Sequence, residues 1–219
     1  EKMQRQLMTG LAGSAKTLAI ASTYQKFRRP TVVVTANLYY ANQLAEDLRQ
    51  VIDDVYIFPV DEVLSAEMAF ASPEAKAERV LTLHAIAANQ PGIYVLPVAA
   101  IRKFLPTLKT WQEVQFSWQV GDEIDVEQLP QQLVLMGYER QTMIGKPGEF
   151  SIRGSIIDIY PLHTEYPVRI ELFDVEIDSM RYFDVETQRS VTNLDEVLIL
   201  PTTELVFSKE NLVKGSEKL

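Results

Sequence analysis

The stretch Gly10-Leu11-Ala12-Gly13-Ser14-Ala15-Lys16-Thr17 decides the first fold prediction for this chain of 219 residues. It differs at one position from the phosphate-binding loop G-x-x-x-x-G-K-[ST], because Ala15 replaces the second glycine. In such a loop, backbone N–H groups and a helix N-terminus converge on phosphate oxygens, and the glycines adopt angles that a Cβ resists. The stretch therefore predicts a phosphate-loop fold whose nucleotide site has decayed. An ordinary strand–helix turn is the alternative.

Composition narrows the classes of partner and site. The chain has 21 Lys and Arg against 30 Asp and Glu, a net charge of −9, no cysteine and two histidines. Nucleic-acid binding normally needs a basic face, so a protein partner is favoured over DNA. The absence of cysteine excludes disulfides and thiolate metal sites, and we predict neither a metal site nor a catalytic residue. No long apolar run or export signal is present, which predicts a cytoplasmic protein without a membrane segment.

The first half of the sequence alternates strands with helices. Apolar or β-branched runs predict strands at 5–9, 31–36, 55–58 and 93–97. Amphipathic or capped stretches between them predict helices from Lys16, from Asn37 and from Pro73. This alternation is typical of a parallel, doubly wound α/β sheet of the helicase or RecA kind.

An acid pair follows the third predicted strand. Asp61-Glu62 resembles the magnesium-binding acids of an ATPase. Pro59 interrupts the apolar run before the pair, and only one strand–helix unit separates the pair from the phosphate-binding loop. A solvated loop is therefore the favoured interpretation of these acids.

The periodicity changes near Trp111. Residues 113–120 alternate apolar with polar, as in a strand with one wet face. A capping box at Asp125 and Gln128 predicts a helix that ends at Gly137. Further strands are predicted at 139–144, 149–160, 168–173, 176–184 and 196–200. We therefore predict a parallel-sheet domain at 1–110, a smaller, mainly antiparallel α+β domain at 111–203, and a linker or the start of a further segment at 204–219.

Several motifs resemble a known family. They are the degenerate loop, the Tyr94–Pro97 strand, G-E-F-S-I-R-G-S-I-I-D-I-Y-P at 148–161, V-R-I-E-L-F-D at 168–174 and D-S-M-R-Y-F-D at 178–184. Together they look like the N-terminal module of the bacterial transcription-repair coupling factors (Mfd), which is itself similar to the excision-repair helicase subunit UvrB. The pattern R-G-x-[IL]-[IL]-D-[IL]-[FY]-P is specific to these two families.

Two differences from UvrB favour the coupling factors as the nearer family. UvrB keeps an intact G-x-x-x-x-G-K-T loop and a tyrosine-rich hairpin that clamps DNA, whereas this chain has Ala15 and no tyrosine between Phe58 and Ser72. The resemblance to the coupling factors implies a module that docks onto UvrA without hydrolysing ATP, gripping DNA or holding a cofactor. It assigns ATP, magnesium, RNA polymerase and DNA to other parts of the parent protein. The alternatives are the ATP-binding half of a helicase or translocase, and UvrB itself, a DNA-repair ATPase.

The resemblance also implies which residues contact UvrA: Arg153, Arg169 and Phe173, with Arg181 as a weaker candidate. Independently of the resemblance, the sequence predicts that Phe173 is exposed. Alternation along 168–173 places Val168, Ile170 and Leu172 on one face and Arg169, Glu171 and Phe173 on the other. Phenylalanine and arginine are both enriched at interface centres. The alternatives are surface arginines paired with Glu171, Asp174 or Glu176, and a buried Phe173.

Overall fold

A computed structural model describes residues 6–60, 73–102 and 105–206. The described residues form a mixed α/β fold in two compact units, one with a parallel sheet and one with a largely antiparallel sheet. No helix within these ranges is long and apolar enough to cross a membrane.

The first unit holds residues 6–60 and 89–102 and is built on three parallel strands. The strand order is β1-β3-β2, and the centre strand β3 is the most buried because neighbours cover it on both sides. The strands are β1 (Thr31–Thr35), β2 (Val55–Ile57) and β3 (Ile93–Pro97), and the helices are α1 (Ser14–Phe27) and α2 (Leu38–Arg49). A 3-10 turn, Val98–Arg102, follows β3.

Three of the four strands predicted for this half are confirmed. The fourth is wrong for the residues that can be compared, because 6–9 form no strand and Leu7 and Met8 are exposed. Helix α2 begins as predicted, with the Asn37 side chain accepting a hydrogen bond of 3.0 Å from the Tyr40 backbone N–H. Asp61-Glu62 and most of the stretch 58–72 lie outside the described residues.

The second unit holds residues 73–88 and 105–206 and is built on a six-stranded sheet. Its strand order is β10-β9-β8-β7-β6-β5, antiparallel throughout except for the pair β5–β6. The strands are β5 (Glu139–Arg140), β6 (Glu149–Arg153), β7 (Ile156–Ile159), β8 (Val168–Phe173), β9 (Glu176–Phe183) and β10 (Ser190–Leu194).

Three helices and a two-stranded ribbon complete this unit. The ribbon pairs β4 (Phe116–Gln119) with β11 (Glu196–Ile199) in antiparallel fashion. The helices are α3 (Pro73–Ala87), α4 (Leu108–Glu113) and α5 (Leu129–Leu135). The core lies between one face of the large sheet, α5 and the ribbon; its members include Leu133, Phe150, Ile157, Ile170 and Ile177, all fully buried.

Helix α3 and the start of the predicted tail both belong to this unit. The prediction placed α3 in a domain 1–110, whereas the structure groups residues 73–88 with the antiparallel unit. The buried Arg79 of α3 forms an ion pair with Glu204, and His84 Nδ1 lies 3.1 Å from Gln115 Oε1. Glu204 is therefore held by α3, and residues 207–219 of the predicted segment 204–219 lie outside the described residues.

The remaining differences concern strand limits. The predicted strand 149–160 is a hairpin, since the chain reverses between β6 and β7 at Gly154, whose φ of +59° suits a residue without a Cβ. The predicted strand 139–144 shrinks to Glu139–Arg140. Strand β10 was not predicted, because this edge strand buries no face and its sequence lacks the alternation that reveals strands.

Candidate functional site

Within the degenerate loop, helix α1 begins at Ser14, two residues before the predicted start at Lys16. Gly10 and Gly13 have φ of +80° and +53°, but Ala15 lies inside α1 and is not forced to a left-handed angle. The Ala15 N–H donates to Ala12 O at 3.1 Å and the Lys16 N–H donates to Gly13 O at 3.4 Å. Two amides that could face a phosphate are thus used within the turn.

The surroundings of this loop are apolar. A groove of about 910 Å³ runs beside it between α1, α2 and the open edge of β1, and Lys16 is one of its few charged lining residues. Thr17 is buried, while Lys16 and Ser14 are exposed. Among the described residues, no group of three or more histidine, aspartate or glutamate side chains could hold a metal ion.

The second candidate site is the outer face of the six-stranded sheet, the face opposite the core. Strand register places five polar residues directly opposite one another across five strands: Ser151, Asp158, Arg169, Arg181 and Asn193. The predicted alternation along β8 is confirmed, since Val168, Ile170 and Leu172 are buried and Phe173 is exposed. The face therefore carries two of the four predicted docking residues in one row.

A buried carboxylate organises the arginines of this face. Arg169 makes a bidentate ion pair with Asp158, with Nε to Oδ1 at 2.7 Å and Nη2 to Oδ2 at 2.8 Å. Arg153 Nη2 donates to the same Oδ2 at 2.8 Å. The hydrogen bonds to Asp158 raise the pKa of the Arg169 guanidinium above its usual range, against the effect of burial. Two arginines on one carboxylate leave the cluster with a net positive charge.

The two arginines differ in accessibility. The Arg169 side chain is 12% exposed, whereas that of Arg153 is 45% exposed. Arg169 also stacks its guanidinium carbon 4.1 Å from the centre of the buried Phe183 ring and donates through Nη2 to Gln188 Oε1 at 2.8 Å. Arg169 is thus held by several partners and largely buried, whereas Arg153 has one acidic partner and is more accessible.

Arg181 has its own acidic partner. Its Nη2 lies 2.5 Å from Oε1 of Glu171, and this hydrogen bond lowers the pKa of the Glu171 carboxyl. Arg181 therefore has the pairing with Glu171 that the sequence suggested for a surface arginine. Glu171 was among the three acids suggested as partners, while Asp158, the partner of the other two arginines, was not.

Phe173 ends β8 and is 79% exposed, which excludes the alternative that it is a core residue. The turn that follows contains Asp174, at φ +60°, and the exposed Val175. A large aromatic and a valine thus protrude from the hairpin that joins β8 to β9, and Phe173 is four residues along β8 from Arg169.

Sequence reasoning missed Asp158, Phe183 and Gln188. A signal existed for Asp158, because a single acid interrupts the apolar run Ile156-Ile157-Asp158-Ile159 and a buried acid requires a partner. Phe183 and Gln188 had no such signal, since their approach to Arg169 depends on how β8 and β9 pair and on the turn after β9.

The sequence matches a known family model and several known proteins. Residues 116–205 match the family model of the UvrB interaction domain. The chain is 43% identical over its full length to a transcription-repair-coupling factor of Bacillus subtilis. It is 43% identical over 97% of its length to one of Staphylococcus aureus, and 44% identical over 94% of its length to one of Staphylococcus haemolyticus.

The chain covers 19%, 18% and 18% of these three relatives, so it spans about one fifth of their length. The matched residues 116–205 contain the whole six-stranded sheet, including the arginine row and Phe173. Residues 116–205 are thus similar to the UvrB interaction domain, and the chain as a whole is similar to one segment of the transcription-repair-coupling factors.

Proposed function

We propose that this chain is the UvrA-recruiting module of a transcription-repair coupling factor, and that UvrA docks on the outer face of the six-stranded sheet. The observation that carries the proposal is the 79% exposure of Phe173 beside an arginine cluster, within a UvrB interaction domain. Exposed aromatics next to arginines are typical anchors of protein interfaces. In this proposal Phe173 is the anchor, and Arg153 and Arg169 meet acidic groups of UvrA.

Charge supports a protein partner with acidic groups. The chain has a net charge of −9, yet Arg153 and Arg169 share a single carboxylate and so form a local positive site. Such a site attracts an acidic surface and contributes to specificity and association rate. Arg181 contributes less in this proposal, because Glu171 already occupies its guanidinium.

The proposal assigns no ATPase activity to this chain, and it interprets the first unit as a decayed phosphate-loop domain. The amides of Ala15 and Lys16 bond to backbone carbonyls, and the groove beside them is lined mainly by apolar residues. ATP-driven translocation, RNA polymerase and DNA belong to parts of the parent protein outside this chain. The module works in the cytoplasm in this proposal.

The test is binding of purified UvrA to this chain by calorimetry. The variants Phe173→Ala and Arg153→Ala each remove one exposed group of the docking face. Truncating an interface anchor costs about 2 kcal/mol or more, which corresponds to roughly a thirtyfold loss of affinity. We expect a loss of that size for Phe173→Ala and a smaller one for Arg153→Ala.

Matched controls come from the first unit. Phe27 is also an exposed aromatic, at 58%, and Arg29 is also an exposed arginine. Phe27→Ala and Arg29→Ala should bind UvrA like the parent. If the parent chain does not bind UvrA, the proposed function is wrong. If the parent binds and both docking-face variants bind equally well, the docking face lies elsewhere.

A further inference from the structure

We infer that Gln188 and Asp158 are positioning residues for UvrA docking: together they fix the Arg169 guanidinium so that one edge of it faces the partner. The inference rests on the proposed function. It adds two residues that, by this argument, do not contact UvrA themselves.

The hydrogen-bond pattern of Arg169 is one-sided. An arginine side chain has five N–H donors: one on Nε and two on each Nη. Nε and one Nη2 donor bind the two Asp158 oxygens, and the other Nη2 donor binds Gln188 Oε1. No described residue accepts from Nη1, so its two diverging donors are available to acceptors of the partner.

The ring of Phe183 fixes the plane of the same group. The guanidinium carbon lies 4.1 Å from the ring centre, and Phe183 is fully buried. Stacking blocks one face of the guanidinium, Asp158 occupies the Nε–Nη2 edge, Gln188 takes the second Nη2 donor, and Nη1 is left for the partner. A planar donor held in this way has little freedom left to lose when it binds.

Gln188 is itself held in place by the turn after β9. The turn is closed by Asp184, whose Oδ1 accepts from both the backbone N–H and the hydroxyl of Thr187 at 2.7 Å. Gln188 sits at φ +59°, its N–H donates to Asp184 O at 2.8 Å, and its Nε2 donates to Val185 O at 2.7 Å. Such a backbone angle is uncommon outside glycine and persists where the surroundings enforce it.

This arrangement has a functional consequence. Gln188 is exposed, yet both ends of its side-chain amide are hydrogen-bonded, one to its own turn and one to Arg169. Removing the amide should free the Arg169 guanidinium to rotate without damaging the sheet. Affinity for UvrA should then fall because the donor is no longer pre-organised, although the charge remains.

The test is a double-mutant cycle measured by calorimetry with purified UvrA. Gln188→Ala retains a Cβ, so it adds no backbone strain at φ +59°. We expect it to weaken UvrA binding about fivefold, because the Arg169 side chain must then be ordered on binding. Gln141→Ala is the matched control, since Gln141 is exposed in the same unit and its side chain makes no hydrogen bond to a described residue. It should bind like the parent.

The double-mutant cycle shows whether Gln188 affects UvrA binding through Arg169 or in another way. If Gln188 works by positioning Arg169, the double variant Arg169→Ala/Gln188→Ala binds as weakly as Arg169→Ala alone. A Gln188→Ala variant that binds like the parent, or that loses the same factor again in the Arg169→Ala background, overturns the inference. If Arg169→Ala itself binds like the parent, the proposed docking face is wrong instead.

A second measurement needs neither UvrA nor the Arg169→Ala variant, which loses a buried ion pair. In the free chain, nuclear magnetic resonance reports rotation of the Arg169 guanidinium. We expect slow rotation in the parent and in Gln141→Ala, and faster rotation in Gln188→Ala. Equal rotation in all three would overturn the positioning role of Gln188 whatever the UvrA measurements show.

Discussion

Asp158 and Arg169 are direct cross-strand partners on β7 and β8, and their side chains meet in a bidentate ion pair on the outer face of the sheet. The Asp158 side chain is almost fully buried, so its charge depends on the guanidinium groups around it. Removing one partner of a buried pair is strongly destabilising because it leaves an uncompensated charge. Arg169 therefore contributes to folding as well as to the proposed docking, whereas the more exposed Arg153 can be removed with less damage.

The first prediction compares Phe173, which ends β8, with Phe183, which ends β9. Phe173→Ala should change the free energy of unfolding by no more than about 0.5 kcal/mol, because its side chain is mostly in solvent. Phe183→Ala should cost about 3–5 kcal/mol, because the ring is fully buried beneath Arg169. Urea unfolding of both variants checks this. A large loss of unfolding free energy for Phe173→Ala would mean that the ring packs against the rest of the chain and is not an exposed docking residue.

The alternating strand β8 shows what the sequence could reveal. One residue in two is apolar in Val168-Arg169-Ile170-Glu171-Leu172, so the buried and outer faces follow from the strand period alone. Helix α2 was predictable for a similar reason, since its cap and its apolar stripe lie within a few residues of each other.

The acidic partners of Arg153 and Arg169 could not be predicted from the local sequence pattern. Asp158 lies eleven residues before Arg169 and meets it only because β7 and β8 pair in one particular register. The sequence suggested nearer acids, and of those only Glu171 forms one of these pairs, with Arg181. The placement of α3 with the second unit has the same origin, because the contact between Arg79 and Glu204 joins residues far apart in the chain.

The second prediction concerns the degenerate loop. ATP should bind this chain with millimolar affinity or weaker, about −4 kcal/mol, since the amides of Ala15 and Lys16 already bond to the turn. Ala15→Gly should not restore binding. Ala15 is already helical, so glycine there relieves no strain and lowers stability by up to about 1 kcal/mol.

Calorimetry with magnesium and ATP measures the ATP affinity of the parent chain and of Ala15→Gly. Micromolar, magnesium-dependent binding by the parent would contradict the decayed-site interpretation and favour the ATP-binding half of a helicase. Phosphate or sulfate bound near Gly13 would not, because a helix N-terminus attracts anions without a complete loop.

The third prediction is that the isolated chain does not bind duplex DNA at about 150 mM salt. Binding to the phosphate backbone requires several uncompensated Lys or Arg side chains. On the outer face, Asp158 and Glu171 pair with three arginines, which leaves about one positive charge in a chain of net charge −9. A gel shift at micromolar protein that persists at this salt concentration would contradict the prediction.

The last prediction concerns pH and His163, which lies in the connection between β7 and β8. Burial lowers the pKa of His163 below its ordinary value of 6.5, opposed by a hydrogen bond with the Leu198 backbone and aided by repulsion from His84. Its Nδ1 has no hydrogen-bond partner among the described residues. The folded chain therefore favours the neutral ring.

The sign of the effect on stability follows from this depressed pKa. The unfolded chain binds a proton near pH 6.5 and the folded chain does so only at lower pH, so the free energy of unfolding falls as pH drops below about 6.5. Urea unfolding between about pH 8 and pH 5 measures this loss of unfolding free energy. Glu171 and Asp184 titrate below this window, because the pKa of each is lowered.

His163→Gln removes the titrating ring and should flatten the profile of unfolding free energy against pH. His84→Gln should flatten it only in part, since it removes the repulsion but leaves His163 buried. Parallel profiles for the parent and His163→Gln would show that another group sets the pH dependence.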